Sequence, residues 1–149
     1  MPLPAENERA LNDILGQVPA SHRDLLLSPL TAVLTTVDAT GRPQSTAVWY
    51  LVDGDGRLKG SITSDRQKYK NLSANPDCCL FIIDPDDPFR TLEIRAEAEL
   101  EADPDKATVR KFAEAYQVDE ALLASATEDR YTVTYRPRRV VANPSSGRS

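Results

Sequence analysis

Histidine and cysteine are almost missing from this chain. One histidine, His22, and two adjacent cysteines, Cys78 and Cys79, leave no ligand set for zinc and no C-x-x-C motif. Neighbouring residues of a strand point to opposite faces, so the two thiols are expected to be buried small hydrophobes and not a mutual disulfide. Positive charge is also short. With 18 Lys and Arg against 23 Asp and Glu, the net charge is −5. That balance argues against nonspecific nucleic-acid binding, which needs a basic face, and gives no reason to expect an anionic membrane surface as partner. No apolar run reaches transmembrane length. The opening stretch "MPLPAENERALNDILGQVPA" mixes proline with charge and has no apolar core segment, so it does not read as a signal peptide, and a cytoplasmic location is expected. A nucleotide fingerprint is missing too. "GDGRLKG" has Gly54, Gly56 and Gly60 at the wrong spacing and lies between two strands, where a hairpin turn is expected. Neither a nucleophile–base pair nor a paired-carboxylate motif is visible.

What is present is strand. At 149 residues the chain is expected to form one domain over residues 21–143, after an arm at 1–20 and before a disordered tail at 144–149. The arm has room for a helical turn in "AENERALNDILG". Ser21 is placed to cap a short helix, "HRDLLL", that Pro29 ends. "LTAVLTTVD" and "QSTAVWYLV" are β-branched runs separated by the turn cluster "DATGRP", and "DGDG" joins the second to "RLKGSITS". A helix, "DRQKYKNLSAN", runs to Pro76, and "CCLFIID" follows as a strand. In "TLEIRAEAELEA", Leu92, Ile94, Ala96, Ala98, Leu100 and Ala102 alternate with charged residues, which predicts a strand with one buried face. Asp103 and Pro104 are read as the cap and first position of a helix whose inner face holds Val109, Phe112, Ala113 and Tyr116. A short helix in "DEALLASA" and a last strand, "RYTVTYRPRRVVA", broken near Pro137, complete the order. Tight turns between the early strands make them antiparallel. The fold class is α+β and mostly β, on an antiparallel sheet or small barrel.

Candidate chemistry collects where the third strand meets the helix. Thr63, Ser64, Asp65, Arg66 and Lys68 follow one another at that junction. A helix start carries unpaired N–H groups and a partial positive charge, so two hydroxyls, a guanidinium fork and an ammonium there suit a phosphate monoester. The plainer alternative is a helix capped by Ser64 or Asp65, with Arg66 and Lys68 in water. In the second strand, Ser45 and Thr46 are small enough to line a flat ligand. Trp49 and Tyr50 either wall that ligand or pack as core and interface. His22 precedes the barrel strands and carries no evident catalytic role.

The run "LTTVDATGRPQSTAVWYLVDGDGRL", then "SITSDRQKYKNLSANPDCCLFIID", then "DPFRTLEIRAEAEL", resembles the pyridoxamine 5′-phosphate oxidase-like split β-barrel superfamily, and within it the flavin/deazaflavin-dependent oxidoreductases of actinobacteria. The resemblance spans residues 30–100 well and the final strand more weakly. It implies a six-stranded antiparallel split barrel with peripheral helices, forming a homodimer with two cofactor grooves at the interface. It implies that Arg66 and Lys68, supported by Thr63 and Ser64, hold the cofactor phosphate. The strand from Gln44 to Tyr50 would run along the ring, with Gln44, Thr46 and Val48 on the cofactor face, and Asn71 would stabilise a local turn. The implied activity is hydride transfer between a deazaflavin, coenzyme F-420 (8-hydroxy-5-deazaflavin), and a small organic substrate. A flavin mononucleotide (FMN) enzyme and a non-catalytic cofactor-binding protein are the alternatives. The oligoglutamate tail of the deazaflavin wants a basic outer groove, for which Arg66, Lys68, Lys70 and Lys59, joined by Arg136, Arg138 and Arg139 of the last strand, are the candidates. The proton would come from water or Tyr50. Ala47 and Ala96 stand where many relatives have proline and glycine, so the pocket shape is expected to differ there.

Overall fold

The computed structural model describes residues 13–123 and 129–144. The helical turn expected in the arm falls mainly, and the expected tail almost wholly, outside the described residues. Two short 3-10 turns (Ile14–Gln17 and Ala20–His22) lead into helix α1 (Arg23–Leu27). Strands β1 (Thr31–Val37), β2 (Pro43–Trp49), β3 (Leu51–Val52) and β4 (Leu58–Thr63) follow, then helix α2 (Gln67–Ala74). Strands β5 (Asp77–Asp84) and β6 (Asp87–Ala102), helices α3 (Ala107–Ala115) and α4 (Glu120–Leu123), and strand β7 (Arg130–Asn143) complete the order.

All strand pairs are antiparallel, and the sheet order is β2-β1-β5-β6-β7-β4-β3. The two edges of this sheet are one segment of chain. β2 pairs with β1, β3 pairs with β4, and only Tyr50 separates β2 from β3. Counting β2–β3 as one strand that changes partner, the sheet is the expected six-stranded curled half-barrel.

Tyr50 sits at the change of partner and is almost wholly buried. Its hydroxyl donates to the carbonyl of Leu25 at 2.5 Å. Its backbone N–H, out of the ladder, donates to the hydroxyl of Tyr116 at 3.1 Å. That hydroxyl lies 2.8 Å from the Tyr50 carbonyl and 2.7 Å from the Leu30 carbonyl, and donates to one of them at a time. A side chain thus supplies the pairing that the split removes from the backbone.

The core lies inside the curl. Leu34, Leu58, Leu80, Ile82, Leu92, Ile94 and Val133 are fully buried, and Ile14 and Val18 from the 3-10 segment join them. The alternation expected in β6 holds through Leu100, while Ala102 is exposed. Gly60 faces Val133 of β7, and a Cβ there would meet the Tyr135 hydroxyl at 2.9 Å, so this strand position needs glycine. Pro137 does not break β7. Arg139 pairs with Arg95 and Pro137 with Ala96, leaving Arg138 as a bulge. Cys78 is buried and Cys79 half-buried, both free, as expected of neighbours on opposite faces. Burial pushes the Cys78 thiol up to about 12.

Three capping expectations change. Ser21 does not cap α1. Its hydroxyl bonds His22 Nδ1 at 2.8 Å, and His22 Nε2 donates to the Asn143 carbonyl at 2.6 Å, so the buried histidine ties the entry segment to the end of β7. Pro104 lies in a turn before α3, not at its first position. The Asp103 carboxylate reaches across that turn to accept from the N–H groups of Ala107 and Thr108 at 2.9 and 3.1 Å. No side chain caps α2, where Arg66 occupies the cap position in extended geometry.

Candidate functional site

β1 and β2 set the faces of the groove. Val48, Thr46 and Gln44 lie opposite Ala32, Leu34 and Thr36, all three buried, so they turn to the inner side of the curl. Ser45 turns outward and its hydroxyl bonds Thr35 at 2.8 Å. The start of α2 and the start of β7 face this inner strand surface. Between them lie two adjoining cavities, of about 920 Å³ and 350 Å³, which share Ala47, Ser61, Lys68, Leu123 and Arg130.

The larger cavity is polar. Gln44, Thr46, Thr63, Arg66 and Lys68 line it together, as the resemblance implies, and Val48 lines the smaller one. Ser64 stands apart. It lines neither cavity, and its backbone N–H donates to the Asp129 carbonyl at 3.1 Å. Thr63 is buried and its hydroxyl donates to Asp65 at 2.5 Å, so that donor is committed to a neighbour. Arg130 is the site residue the sequence did not offer. It pairs with Thr63 across β4 and β7, and its Nη1 donates to Ser61 at 3.2 Å. Only the strand pairing brings it here, since 62 residues separate Lys68 from Arg130 in the chain.

Lys68 is half-buried between two other cations. Burial, and then the charges of Arg66 and Arg130, hold its ammonium below the usual lysine range. The like charges oppose one another, and an anionic ligand would offset that repulsion beyond what the Asp65 carboxylate in the same cavity supplies. Thr46 Oγ1 is buried in the groove wall without a hydrogen-bond partner among the described residues. Gln44 is held from behind. Asn71 donates to Gln44 Oε1 at 3.1 Å and to Thr36 Oγ1 at 3.0 Å, and accepts from Gln67 at 2.8 Å. The role of Asn71 is therefore to fasten α2 to β1 and β2, beyond a local turn.

The smaller cavity is mainly apolar, walled by Val48, Trp49, Val109, Phe112 and Leu123, with Lys68 and Arg130 also in its lining. Trp49 stacks on Tyr116 with centroids 4.2 Å apart and planes 8° from parallel. Tyr50 lines neither cavity, and burial pushes its hydroxyl far above the ordinary range, so it is not a proton donor to the groove. Ala96 is buried in the sheet opposite Pro137 and does not narrow either cavity, whereas Ala47 lines both.

Of the cations expected to form a basic outer groove, Arg66 and Lys68 line the larger cavity and the other five do not. Lys59 pairs with Asp53 at 3.3 Å and Asp55 at 3.0 Å. Arg136 pairs with Glu99 at 2.8 Å, and Arg138 with Glu97 at 3.1 Å and Asp77 at 3.6 Å. Lys59, Arg136 and Arg138 line neither cavity, and neither do Lys70 and Arg139. Among the described residues, no group of three or more His, Cys, Asp or Glu is placed to hold a metal, and no helix is long and apolar enough to cross a membrane.

The chain is similar to several solved structures. An F-420 reductase shares 36% identity, covering 83% of this chain and 98% of that one, with a TM-score of 0.75. A conserved hypothetical protein from Mycobacterium tuberculosis shares 26% identity over 85% of this chain and 84% of its own, with a TM-score of 0.69. The heme storage protein HutZ from Vibrio cholerae, at 16% identity, 85% and 95% coverage and a TM-score of 0.68, shares the fold. No curated protein matches. The sequence pattern of the pyridoxamine 5′-phosphate oxidase family matches residues 18–141, most of the chain, and the curled antiparallel sheet agrees with it: the chain belongs to that family.

Proposed function

We propose that this protein is a coenzyme F-420-dependent oxidoreductase, working as a homodimer on a small organic substrate. The observation that carries the proposal is the meeting of Arg66, Lys68 and Arg130 at the open start of α2. Each of these charges raises the cost of the others, and an added anion lowers it. A cofactor phosphate is such an anion, and an uncapped helix start adds unpaired N–H groups that favour it.

The residues present fit the rest of the group. The buried Thr46 hydroxyl faces the groove with a hydrogen bond still to make, and Gln44 is fixed in place by Asn71. When bound, the deazaflavin supplies the carbon that carries the hydride. Arg66, Lys68 and Arg130 anchor its phosphate end. Thr46 and Gln44 orient the ring along β2. Val48, Trp49, Phe112 and Leu123 give the neighbouring cavity an apolar wall, where a substrate would be held. With Tyr50 sealed in the core, water is left as the source of the proton.

The choice of deazaflavin over FMN is supported by similarity to the F-420 reductase. One observation favours FMN as a second reading. The ion pairs of Lys59, Arg136 and Arg138 leave fewer cations for the basic outer groove that an oligoglutamate tail wants. The dimer is supported by apolar side chains left on the outer surface, among them Val33 in the middle of β1 and Ile83 on β5.

The test is turnover. Reduced deazaflavin and reduced FMN are each mixed with the protein and a panel of organic acceptors, and recovery of the oxidised cofactor's absorbance is followed. Faster oxidation of the deazaflavin than without protein, lost in Arg66→Ala/Lys68→Ala, is expected. A protein that binds the cofactor yet accelerates no acceptor is a carrier, and the enzyme reading fails.

A further inference from the structure

We infer that the apolar cavity is the substrate subsite, that it takes an uncharged planar organic ring, and that Trp49 is its specificity-determining wall, positioned by Tyr116. The inference rests on the oxidoreductase reading and adds the substrate class to it.

The cavity adjoins the cationic groove and shares Ala47, Ser61, Lys68, Leu123 and Arg130 with it. Its apolar walls are Val48, Trp49, Val109, Phe112 and Leu123, and of its polar lining Ser61, Lys68 and Arg130 are shared with the neighbouring groove. Its volume of about 350 Å³ is at the lower end for small-molecule sites, which suits one or two fused rings. A charged substrate would lose its water there, and the two cations that line the cavity, Lys68 and Arg130, are those assigned to the cofactor phosphate. A flat, uncharged one would gain contact with the aromatic and aliphatic walls.

The orientation of Trp49 is imposed from outside the cavity. The residue is the last of β2, immediately before the break at Tyr50, where the ladder no longer holds the backbone. Tyr116 replaces the ladder. Its hydroxyl takes the N–H of Tyr50 and reaches the carbonyls of Tyr50 and Leu30, while its ring stacks on the indole at 4.2 Å. Phe112, one turn earlier on α3, lies 6.0 Å from the Tyr116 ring and forms the next panel of the same wall. One residue therefore fixes both the backbone and the plane of Trp49. It touches neither cavity, so it acts through the indole as a positioning residue.

Trp49 is the only tryptophan in the chain, so its emission reports on this wall alone. The experiment titrates the full chain with 2-naphthol, an uncharged planar probe, by calorimetry, with and without saturating cofactor. Saturable binding that persists with cofactor bound is expected. Leu123→Glu, which puts a charge at the cavity from an outer helix, is expected to weaken it about tenfold. Tyr116→Leu is expected to lower the fluorescence anisotropy of Trp49 and weaken 2-naphthol, with Tyr116→Phe restoring most of both because it keeps the stack. Absence of 2-naphthol binding overturns the inference. Competition between 2-naphthol and cofactor also overturns it, because the cavity is then the seat of the cofactor ring. If Tyr116→Leu does not fold, the Leu123→Glu result decides, and unchanged affinity there refutes the site. If neither cofactor binds but 2-naphthol does, the oxidoreductase reading fails while the ring-binding cavity stands.

Discussion

Replacing Asn71 with alanine separates the two jobs of helix α2. Asn71 is almost wholly buried and makes three side-chain hydrogen bonds: from Gln67, to Thr36 and to Gln44. Their losses are unequal. Gln67 is exposed and finds water, so its loss is small. Thr36 is fully buried, so its hydroxyl loses its donor without replacement, at about 2 kcal/mol, and half-buried Gln44 adds about 1 kcal/mol. The sum is about 3 kcal/mol, and at roughly 2–4 °C per kcal/mol for a chain of this size the melting temperature falls by about 6–12 °C. Thermal unfolding followed by circular dichroism measures it. Cofactor affinity is expected to fall as well, because Gln44 is no longer held against the strand. Asn71→Asp adds a check on mechanism. A carboxylate still accepts from Gln67 but donates to neither Thr36 nor Gln44, and burial raises its pKa in the folded state. A raised folded pKa means that stability is lost as pH rises through it, so this variant melts lowest at neutral pH and recovers in acid, where the carboxyl again donates. A fall of less than about 2 °C in Asn71→Ala refutes the reasoning, since it would mean that these bonds carry no net stability.

Arg66→Ala with Lys68→Ala leaves the fold intact, because neither side chain belongs to the core. Cofactor affinity falls by roughly 1.5–3 kcal/mol for each charge-assisted contact, measured by fluorescence titration. Lys68→Met raises the melting temperature while weakening the cofactor. The folded-state pKa of Lys68 is lowered, so the protonated group opposes folding below that pKa and the penalty is relieved only as pH rises through it. An unchanged or lower melting temperature at neutral pH would contradict the strained-cation account. Tyr50→Phe leaves the Leu25 carbonyl without its donor and is expected to cost about 1–3 kcal/mol in chemical denaturation, with cofactor affinity unchanged because the phenol lies outside the groove.

Much of the fold is visible in the sequence because period-two alternation is a local signal. The pattern from Leu92 to Leu100 marks β6, and "DGDG" marks the turn after β3. The junction at Arg66 and Lys68 is equally local, since strand end, turn and helix start lie within a few residues. Arg130 was not visible, because its place depends on antiparallel pairing between β4 and β7. Tyr116 was legible only as a residue on a helix face. Its service to Tyr50 requires knowing that β2 and β3 part at that residue. The expected basic outer groove illustrates the opposite hazard. Counting Arg136 and Arg138 as available cations ignores the glutamates that strand register sets beside them on β6. Capping at Ser21 and Pro104 misled for a similar reason. A hydroxyl or a proline near a helix start has other partners, and tertiary contacts such as His22 with Asn143 choose among them.

The most direct measurement is a fluorescence titration of the cofactor-free protein with coenzyme F-420 and with FMN, side by side in the wild type and in Arg66→Ala/Lys68→Ala. Tight binding of the deazaflavin, weak binding of FMN and loss of both in the double variant is the expected result. Binding that is unchanged in the double variant, or absent altogether, would contradict the assignment of the Arg66, Lys68 and Arg130 cluster as the cofactor's phosphate site.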